Sequence, residues 1–237
     1  MNSIASLNQV SHYFHSKKVL DNISISFSEH KVSALLGFSG SGKSTILKMV
    51  NGMIQPDEGY ISVFGNAFNY KHAEATRLKI GYAVQSVGLF PHLTVGQNIS
   101  ILGDITQQPK EEITKRIEML IEIVRLPKNY LNKFPSELSG GEQQRVGLCR
   151  AFFLKPPLIL MDEPFASLDY KTRAGIYEHL LSMQKIENSS IIIVTHQLEE
   201  AIHLCDNFYW IQNGSVYKQG NKDSLKNLQY EFKEQFI

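Results

Sequence analysis

Hydrophobic and polar residues alternate over the first part of the chain, as they do in strands with one buried face. Ile4 to Val10 and Ile23 to Phe27 show this alternation, because successive side chains of a strand point to opposite faces. Val32 to Leu36 is almost entirely apolar, which is typical of a strand covered on both faces. Two further short strands are predicted, one between Gly59 and Gly65 and one that ends at Gln85.

The period becomes helical in the middle of the chain. One predicted helix is amphipathic, with apolar residues at Ile113, Ile117, Leu120, Ile121 and Val124. A second helix is predicted to begin after Gly141 and to end near Leu154, because Pro156 and Pro157 stop it.

Strands and helices alternate again after these prolines. The pattern predicts strands at Leu158 to Met161 and Ile191 to Val194, helices at Ile176 to Leu181 and Gln197 to Leu204, and a hairpin at Asn213-Gly214. This order of elements predicts a twisted α/β core with a mostly helical insertion at roughly residues 87–156.

Composition changes this picture little. The chain has 237 residues, 43% hydrophobic and 20% charged, as in an ordinary globular domain. A net charge of +1 predicts no nucleic-acid partner. Cys149 and Cys205 are far apart, so neither a disulfide framework nor a zinc site is expected. The N-terminus does not resemble a signal peptide, and no apolar run approaches the ~20 residues that span a bilayer, so no direct membrane insertion is expected.

A glycine-rich loop follows the apolar strand Val32 to Leu36 and precedes a predicted helix. It matches the phosphate-binding pattern G-x-x-x-x-G-K-[ST] in the strand–loop–helix context that gives the pattern meaning. Its glycines let backbone N–H groups approach phosphate oxygens, and its lysine supplies a full positive charge. The predicted nucleotide-binding residues are Gly37, Ser39, Gly40, Ser41, Gly42, Lys43, Ser44 and Thr45.

Two carboxylates end the apolar strand that begins at Leu158. Strand ends of a parallel sheet line the ligand crevice, so Asp162 and Glu163 are expected near the glycine-rich loop. Asp162 is predicted to hold Mg²⁺ through water, together with the Ser44 hydroxyl. Glu163 is predicted to polarise the attacking water as a general base.

Residues 138–145 read L-S-G-G-E-Q-Q-R and resemble the signature sequence of ABC transporter ATPases, with Glu142 where glutamine is common. Ser139, Gly140 and Gly141 precede a helix, which makes a second anion site. In that family two ATPase domains pack head to tail, and the signature of one closes on ATP held by the other. The resemblance therefore implies contacts with the ATP of a second copy by Ser139, Gly140, Gly141 and Glu142.

The resemblance extends from about Ile4 to Gly220 and implies a fold and cofactors. The fold is an α/β, RecA-like P-loop NTPase core with an N-terminal antiparallel β subdomain and an inserted helical subdomain. The chain is then a single ABC ATPase domain, with its core at 1–86 and 157–237 and its helical subdomain at 87–156. The implied cofactors are ATP and Mg²⁺.

Other family positions transfer one at a time. Gln85 resembles the glutamine that senses Mg²⁺ and links to the transmembrane partner, and His196 resembles the histidine that contacts the γ-phosphate. The predicted catalytic residues are therefore Glu163, His196, Lys43 and Gln85. Ser167 and Asp169 resemble the D-loop, which lies at the dimer interface in the family. Phe14 falls where the family places the aromatic residue that stacks on adenine. Tyr13 is the alternative stacking residue, and either ring could instead be a core residue.

The segment from Gly81 to Val95 is similar to the corresponding region of importer ATPases, which receives a helix of the membrane subunit. Leu89, Phe90 and His92 are the predicted contacts, and a buried turn is the alternative. The sequence of this segment most resembles that of osmoprotectant uptake ATPases for glycine betaine, choline or related quaternary amines. The sequences of polar amino-acid importer ATPases come next in similarity. The implied partners are a second ATPase subunit in a homodimer, a permease and, indirectly, a substrate-binding protein, at the cytoplasmic face of the inner membrane.

Three alternatives stay open at this point. One is an exporter-type ABC ATPase, which the segment from Phe90 to Val95 disfavours. Another is a soluble ABC ATPase acting on DNA or ribosomes, whose usual coiled-coil insertion or basic face the sequence does not show. The third is a silent nucleotide-binding regulator, against which the intact Lys43, Asp162, Glu163 and His196 argue.

Overall fold

The computed structural model describes residues 2–84, 88–166, 168 and 170–228. The strands in chain order are β1 (Ser3–Phe14), β2 (Lys17–Ser28), β3 (Val32–Leu36), β4 (Glu58–Val63), β5 (Asn66–Ala67), β6 (Ile80–Ala83), β7 (Leu158–Asp162), β8 (Ser190–Thr195), β9 (Asn207–Gln212) and β10 (Ser215–Asn221). The α-helices are α1 (Lys43–Val50), α2 (Ala73–Arg77), α3 (Val95–Ile105), α4 (Lys110–Ile123), α5 (Gly140–Phe152), α6 (Tyr170–Glu187), α7 (Leu198–Leu204) and α8 (Lys222–Asn227). Short 3-10 helices lie at Tyr70–His72, Lys128–Asn132 and Pro135–Glu137.

These elements confirm the predicted α/β class and its order. The alternating segments form β1 and β2, which pair antiparallel as predicted. The apolar segments form β3, β7 and β8, in which nearly every residue is buried. Helix α3 was not predicted, because the buried Asn98 and Ser100 interrupt its apolar periodicity.

The chain forms two compact units. One contains the described residues up to Arg77 together with those from Ser190 onward, and the other contains Leu78–Ser189. The proposed limits of a helical subdomain at 87 and 156 stay a prediction, because a division into compact units is a different criterion.

In the first unit, β1 pairs antiparallel with both β2 and β4. Strand β3 runs parallel to β8 on one side and to β9 on the other. The predicted hairpin joins β9 to β10, and Asn213 and Gly214 take the positive φ values of 49° and 76° that such a turn requires. Gly214 also packs closely against β2, since an added Cβ would lie 2.5 Å from the Val19 carbonyl oxygen.

In the second unit, β6 and β7 run parallel and four helices surround them. The C-terminal end of α5 lies directly on β6, because a Cβ at Gly81 would stand 2.2 Å from the Ala151 carbonyl oxygen. Arg116 of α4 holds the same end of α5 by donating to the carbonyls of Phe153 and Phe152 at 2.9 and 2.6 Å. Its third partner is Glu187 of α6, at 2.5 Å. These contacts fix the direction of α5, whose first residues carry the signature sequence.

Candidate nucleotide-binding site

The glycine-rich loop connects β3 to α1 in a backbone shape that only glycine adopts readily. Gly37, Gly40 and Gly42 have φ values of 145°, 77° and 104°, in the region that L side chains disfavour. A Cβ at Gly37 would lie 2.2 Å from the Ile211 carbonyl oxygen, and one at Gly42 would lie 2.5 Å from Leu20 Cδ2. At Gly40 no atom lies within 4 Å of that position, so the loop is open there.

Lys43 directs its ammonium group into this loop. Nζ donates to the carbonyl oxygens of Gly37 and Phe38 at 2.9 and 2.6 Å and to Ser41 Oγ at 3.3 Å. The side chain is buried, and its charge is met by neutral oxygens in these three contacts. Phosphate oxygens are stronger partners for an ammonium than carbonyl oxygens are, so the loop suits a polyphosphate.

The first turn of α1 carries Ser44 and Thr45, both half-buried. Gly42 gives this helix no side-chain cap, and its first turn contains no acidic residue. The partial positive charge of the helix N-terminus is therefore not neutralised from within α1, which fits a bound anion.

The aromatic pair at the end of β1 is exposed. Tyr13 and Phe14 are 38% and 51% accessible, so neither ring is a core residue. Asp57 fixes this end of the strand, because its carboxylate accepts the Tyr13 N–H at 2.8 Å and lies 2.7 Å from His12 Nδ1. The Phe14 ring packs edge-on against His12. An exposed ring on a fixed backbone suits base stacking, and Phe14 as the stacking residue stays a prediction.

His196 directly follows β8. The buried Thr195 next to it donates to Glu200 Oε2 at 3.0 Å and accepts the Gln197 N–H at 3.0 Å. This pair of bonds orders the turn between β8 and α7 and leaves His196 exposed.

The two carboxylates at the end of β7 differ in backbone conformation. Asp162 is the last strand residue, and its negative charge adds to burial in raising the pKa of Tyr82 to about 12. Glu163 has a φ of 46°, a left-handed conformation that is uncommon outside glycine. Such strained residues cluster at functional sites, which supports the role predicted for Glu163.

The signature turn, defined here as Ser139, Gly140 and Gly141, lies where α5 begins. Ser139 is the exposed N-cap, and its hydroxyl and the Glu142 side chain form a capping box. A Cβ at Gly141 would lie 2.6 Å from Thr172 Cγ2, so glycine is needed for α5 to begin this close to α6.

The turn that carries the predicted permease contacts is exposed at Phe90 and hydrogen-bonded to α3. Phe90 is 40% accessible, so the alternative of a buried turn is wrong for this residue. The fully buried Asn98 accepts the Phe90 N–H at 2.8 Å and donates to its carbonyl at 3.1 Å. The Arg150 guanidinium lies 5.8 Å from the centre of the Phe90 ring, and His92 lies edge-on to the same ring.

Some predicted residues cannot be placed. Gln85, Ser167 and Asp169 lie outside the described residues.

The other predicted site residues are divided between the two units. The glycine-rich loop, Phe14 and His196 belong to the first unit, whereas the signature turn, Asp162 and Glu163 belong to the second. The magnesium ligands therefore stay a prediction. In the described part of the chain, no group of three or more His, Cys, Asp or Glu is arranged to hold a metal ion.

Sequence reasoning missed Asp57, Asn98 and Thr195, which order the three loops just described. None of them belongs to a motif, and each acts through contacts that only the folded chain creates.

Among the described residues, no helix is long and apolar enough to cross a bilayer.

The loop, the strand ends and the capped signature helix define a nucleotide-binding α/β protein, and comparison with known proteins makes this more specific. The family model described as "ABC transporter" matches residues 20–166. The chain belongs to this family, and its core is therefore that of a P-loop NTPase.

Individual relatives agree with this assignment. The chain is 40% identical to the glycine betaine/carnitine/choline transport ATP-binding protein OpuCA of Bacillus subtilis, over 98% of this chain and 61% of the relative. It is 38% identical to the glycine betaine uptake system ATP-binding protein YehX of Escherichia coli, over 90% of this chain and 69% of the relative. The chain thus spans about three fifths of the first of these relatives and somewhat more of the second.

A solved structure with the same fold is the dimeric ATP-binding cassette MJ0796, in a post-hydrolysis state bound to ADP and Pi. It superimposes with a TM-score of 0.81 and 27% identity, over 92% of this chain and 98% of that one.

Proposed function

We propose that this protein is the ATP-hydrolysing subunit of an importer, which powers uptake through a separate permease. The observation that carries the proposal is the presence, in one chain, of two helix starts that each follow a nucleotide-binding sequence motif of the ABC family. One is α1 behind the glycine-rich loop, and the other is α5 behind the signature turn. The dimeric state of the related cassette with ADP and Pi supports a second copy as the partner of the signature turn.

In this proposal the loop residues bind the triphosphate of ATP. Lys43 leaves the carbonyl oxygens of Gly37 and Phe38 for the β- and γ-phosphates, and the N–H groups of the loop surround them. Ser44, Gln85 and, through water, Asp162 would hold Mg²⁺, which supplies charge neutralisation when bound. Phe14 stacks on the adenine.

Hydrolysis is proposed to use residues at two strand ends. Glu163 accepts a proton from the attacking water, and its strained backbone presents the carboxylate at the end of β7. His196 donates a hydrogen bond to the γ-phosphate. The signature turn of the second copy completes the site, with Ser167 and Asp169 at the interface between the copies.

The cargo proposed is an osmoprotectant, such as glycine betaine, choline or a related quaternary amine. Support comes from the relatives, whose names give glycine betaine, carnitine and choline as their transported compounds. The permease is proposed to bind the exposed turn of Leu89, Phe90 and His92, and the substrate-binding protein acts only through the permease. The subunit would then be peripheral, at the cytoplasmic face of the membrane.

Replacement of Glu163 tests the hydrolytic mechanism. Glu163→Gln removes the base but keeps the size of the side chain, so hydrolysis should slow by at least ~10²-fold. ATP binding should persist, and an ATP-bound dimer should accumulate on size-exclusion chromatography with MgATP. Adding Ser139→Arg should abolish this dimer while single-protomer ATP binding survives.

Glu111→Gln is the matched control, because Glu111 is an exposed carboxylate on α4 whose partner is Lys115. It should change neither turnover nor dimerisation. Unchanged turnover in Glu163→Gln would reject Glu163 as the base, and a normal dimer with Ser139→Arg would reject the shared site.

A further inference from the structure

The donors of Ser139 are already occupied in the structure. Glu142 Oε2 accepts the Ser139 N–H at 2.8 Å and the Ser139 hydroxyl at 2.8 Å. The Glu142 N–H lies 3.4 Å from Ser139 Oγ and closes the ring. One carboxylate therefore holds the backbone donor and the side-chain donor of the same residue.

Ser139 belongs to the signature turn, which in the proposed function completes the nucleotide site of the second copy, so these are the donors that it would offer to the γ-phosphate there. Each donor has a single hydrogen, so it cannot serve the carboxylate and a phosphate oxygen at full strength together. The carboxylate and the phosphate are also both negative, and they repel at contact distance. Glutamine, common in the family at this position, removes the charge but keeps an amide oxygen that can accept the same bonds.

Two further partners of the carboxylate lie on the segment that precedes the signature turn. The Ser139 N–H and hydroxyl hold the pKa of the Glu142 carboxyl below its usual value, and the Tyr130 hydroxyl and Lys133 ammonium contribute in the same direction. Lys133 Nζ lies 3.6 Å from the centre of the Tyr130 ring, so the phenol and the cation are adjacent. Lys133 is itself anchored, because its carbonyl accepts the Val95 N–H at the start of α3, at 2.8 Å.

We propose that Glu142 is an autoinhibitory gate on the signature turn. Its carboxylate occupies Ser139 until the γ-phosphate held by the second copy arrives, and it then keeps only Tyr130 and Lys133 as partners. The proposal rests on the shared nucleotide site described under the proposed function. Because only the fraction of molecules with Ser139 released is competent, the gate raises the ATP concentration needed to form the dimer.

The experiment measures the MgATP concentration at half-maximal dimerisation of the full chain by analytical ultracentrifugation, with Glu163→Gln as the parent. Adding Glu142→Gln should lower this concentration at least about threefold. Adding Tyr130→Phe instead should raise it, because a carboxylate displaced from Ser139 depends on Tyr130 and Lys133 alone, so loss of the phenol weakens the released state more than the bound one. Tyr130→Phe should have no effect once Glu142→Gln is present, a coupling that a structural role for the phenol would not produce.

Glu137→Gln is the matched control, since Glu137 is an exposed carboxylate that caps the Phe134 N–H at 2.7 Å and makes no bond to Ser139 among the described contacts. It should leave the midpoint unchanged. A Glu142→Gln midpoint within twofold of the parent, or above it, overturns the gate. If the parent itself forms no dimer with MgATP, the shared site fails and the gate fails with it, so the two failures are distinguishable.

Discussion

At the residue scale, some residues of the candidate site can be predicted from the sequence and others cannot. The glycines and Lys43 of the loop could be predicted, because their chemistry is local: a tight backbone, a helix start and one cation within a few positions. Asp57 could not be predicted, because it reaches Tyr13 from a distant loop that only the pairing of β1 with β4 brings near. Motifs therefore identify groups that touch the ligand better than groups that hold them.

The two cysteines give a prediction at this scale. Burial raises the pKa of the Cys149 thiol to about 12 and that of the Cys205 thiol to about 12. A raised pKa keeps the thiol protonated below that value, so at pH 8 almost no reactive thiolate forms. In native protein at pH 8, a chromogenic disulfide reagent should react with neither cysteine over minutes. Both should react in denaturant, and prompt labelling of either in the native protein would contradict the burial described.

At the element scale, the start of α5 was better predicted than its surroundings. Ser139 and the following glycines placed the start after Gly141, within two residues of the observed Gly140, because an N-cap depends on a few consecutive residues. The end at Phe152 precedes the predicted Leu154. Helix α3 was not predicted, because its buried Asn98 bonds to the neighbouring turn instead of adding to an apolar face. A buried polar residue whose hydrogen bonds are made elsewhere in the fold can replace an apolar residue on a buried helix face. The hydrophobic pattern of the sequence does not show such a replacement.

Arg116 gives a prediction at the element scale, since it joins α4, α5 and α6. Its ion pair with Glu187 is buried, with both side chains under 10% accessible. Arg116→Met should lower the free energy of unfolding by about 3 kcal/mol or more, because it removes the cation that pairs with a buried carboxylate and the side-chain donor to the Phe153 carbonyl. Urea denaturation followed by circular dichroism measures this change.

The neighbouring residue provides the control for this substitution. Lys115 pairs with Glu111 on the solvent side of the same helix, with both side chains more than 70% accessible. Lys115→Met should change stability by less than about 1 kcal/mol. Equal effects of the two substitutions would show that Arg116 does not hold these helices together.

At the scale of the whole molecule, the class of fold could be predicted from the sequence, whereas the division into compact units is seen only in the folded chain. Runs of buried residues and the strand–helix order were sufficient for an α/β core. The boundary between compact units depends on packing between distant segments, and in the structure the second unit includes β6, β7 and α6 as well as the helices between them. That packing has no counterpart in local periodicity.

The permease contact is tested at this scale. Solubilised from membranes that also contain its transport partners, the tagged chain should co-purify with a membrane subunit. Phe90→Ala should reduce the recovered membrane subunit about tenfold or more, as expected for loss of a central aromatic contact. Phe134→Ala is the matched control, since Phe134 is 43% accessible and equally aromatic. Equal recovery with both variants would exclude Phe90 as the contact.

The close packing of Gly214 has a practical consequence for anyone who labels this protein. A hairpin turn such as Asn213-Gly214, in which the asparagine is exposed, is normally a good place for an inserted peptide or a fluorophore. Here the hairpin rests on Val19, and the next residue, Leu20, packs against Gly42 of the phosphate loop. A bulky graft at the hairpin would therefore press through β2 on the loop proposed to bind ATP, and a reporter placed there would disturb the binding it was meant to observe.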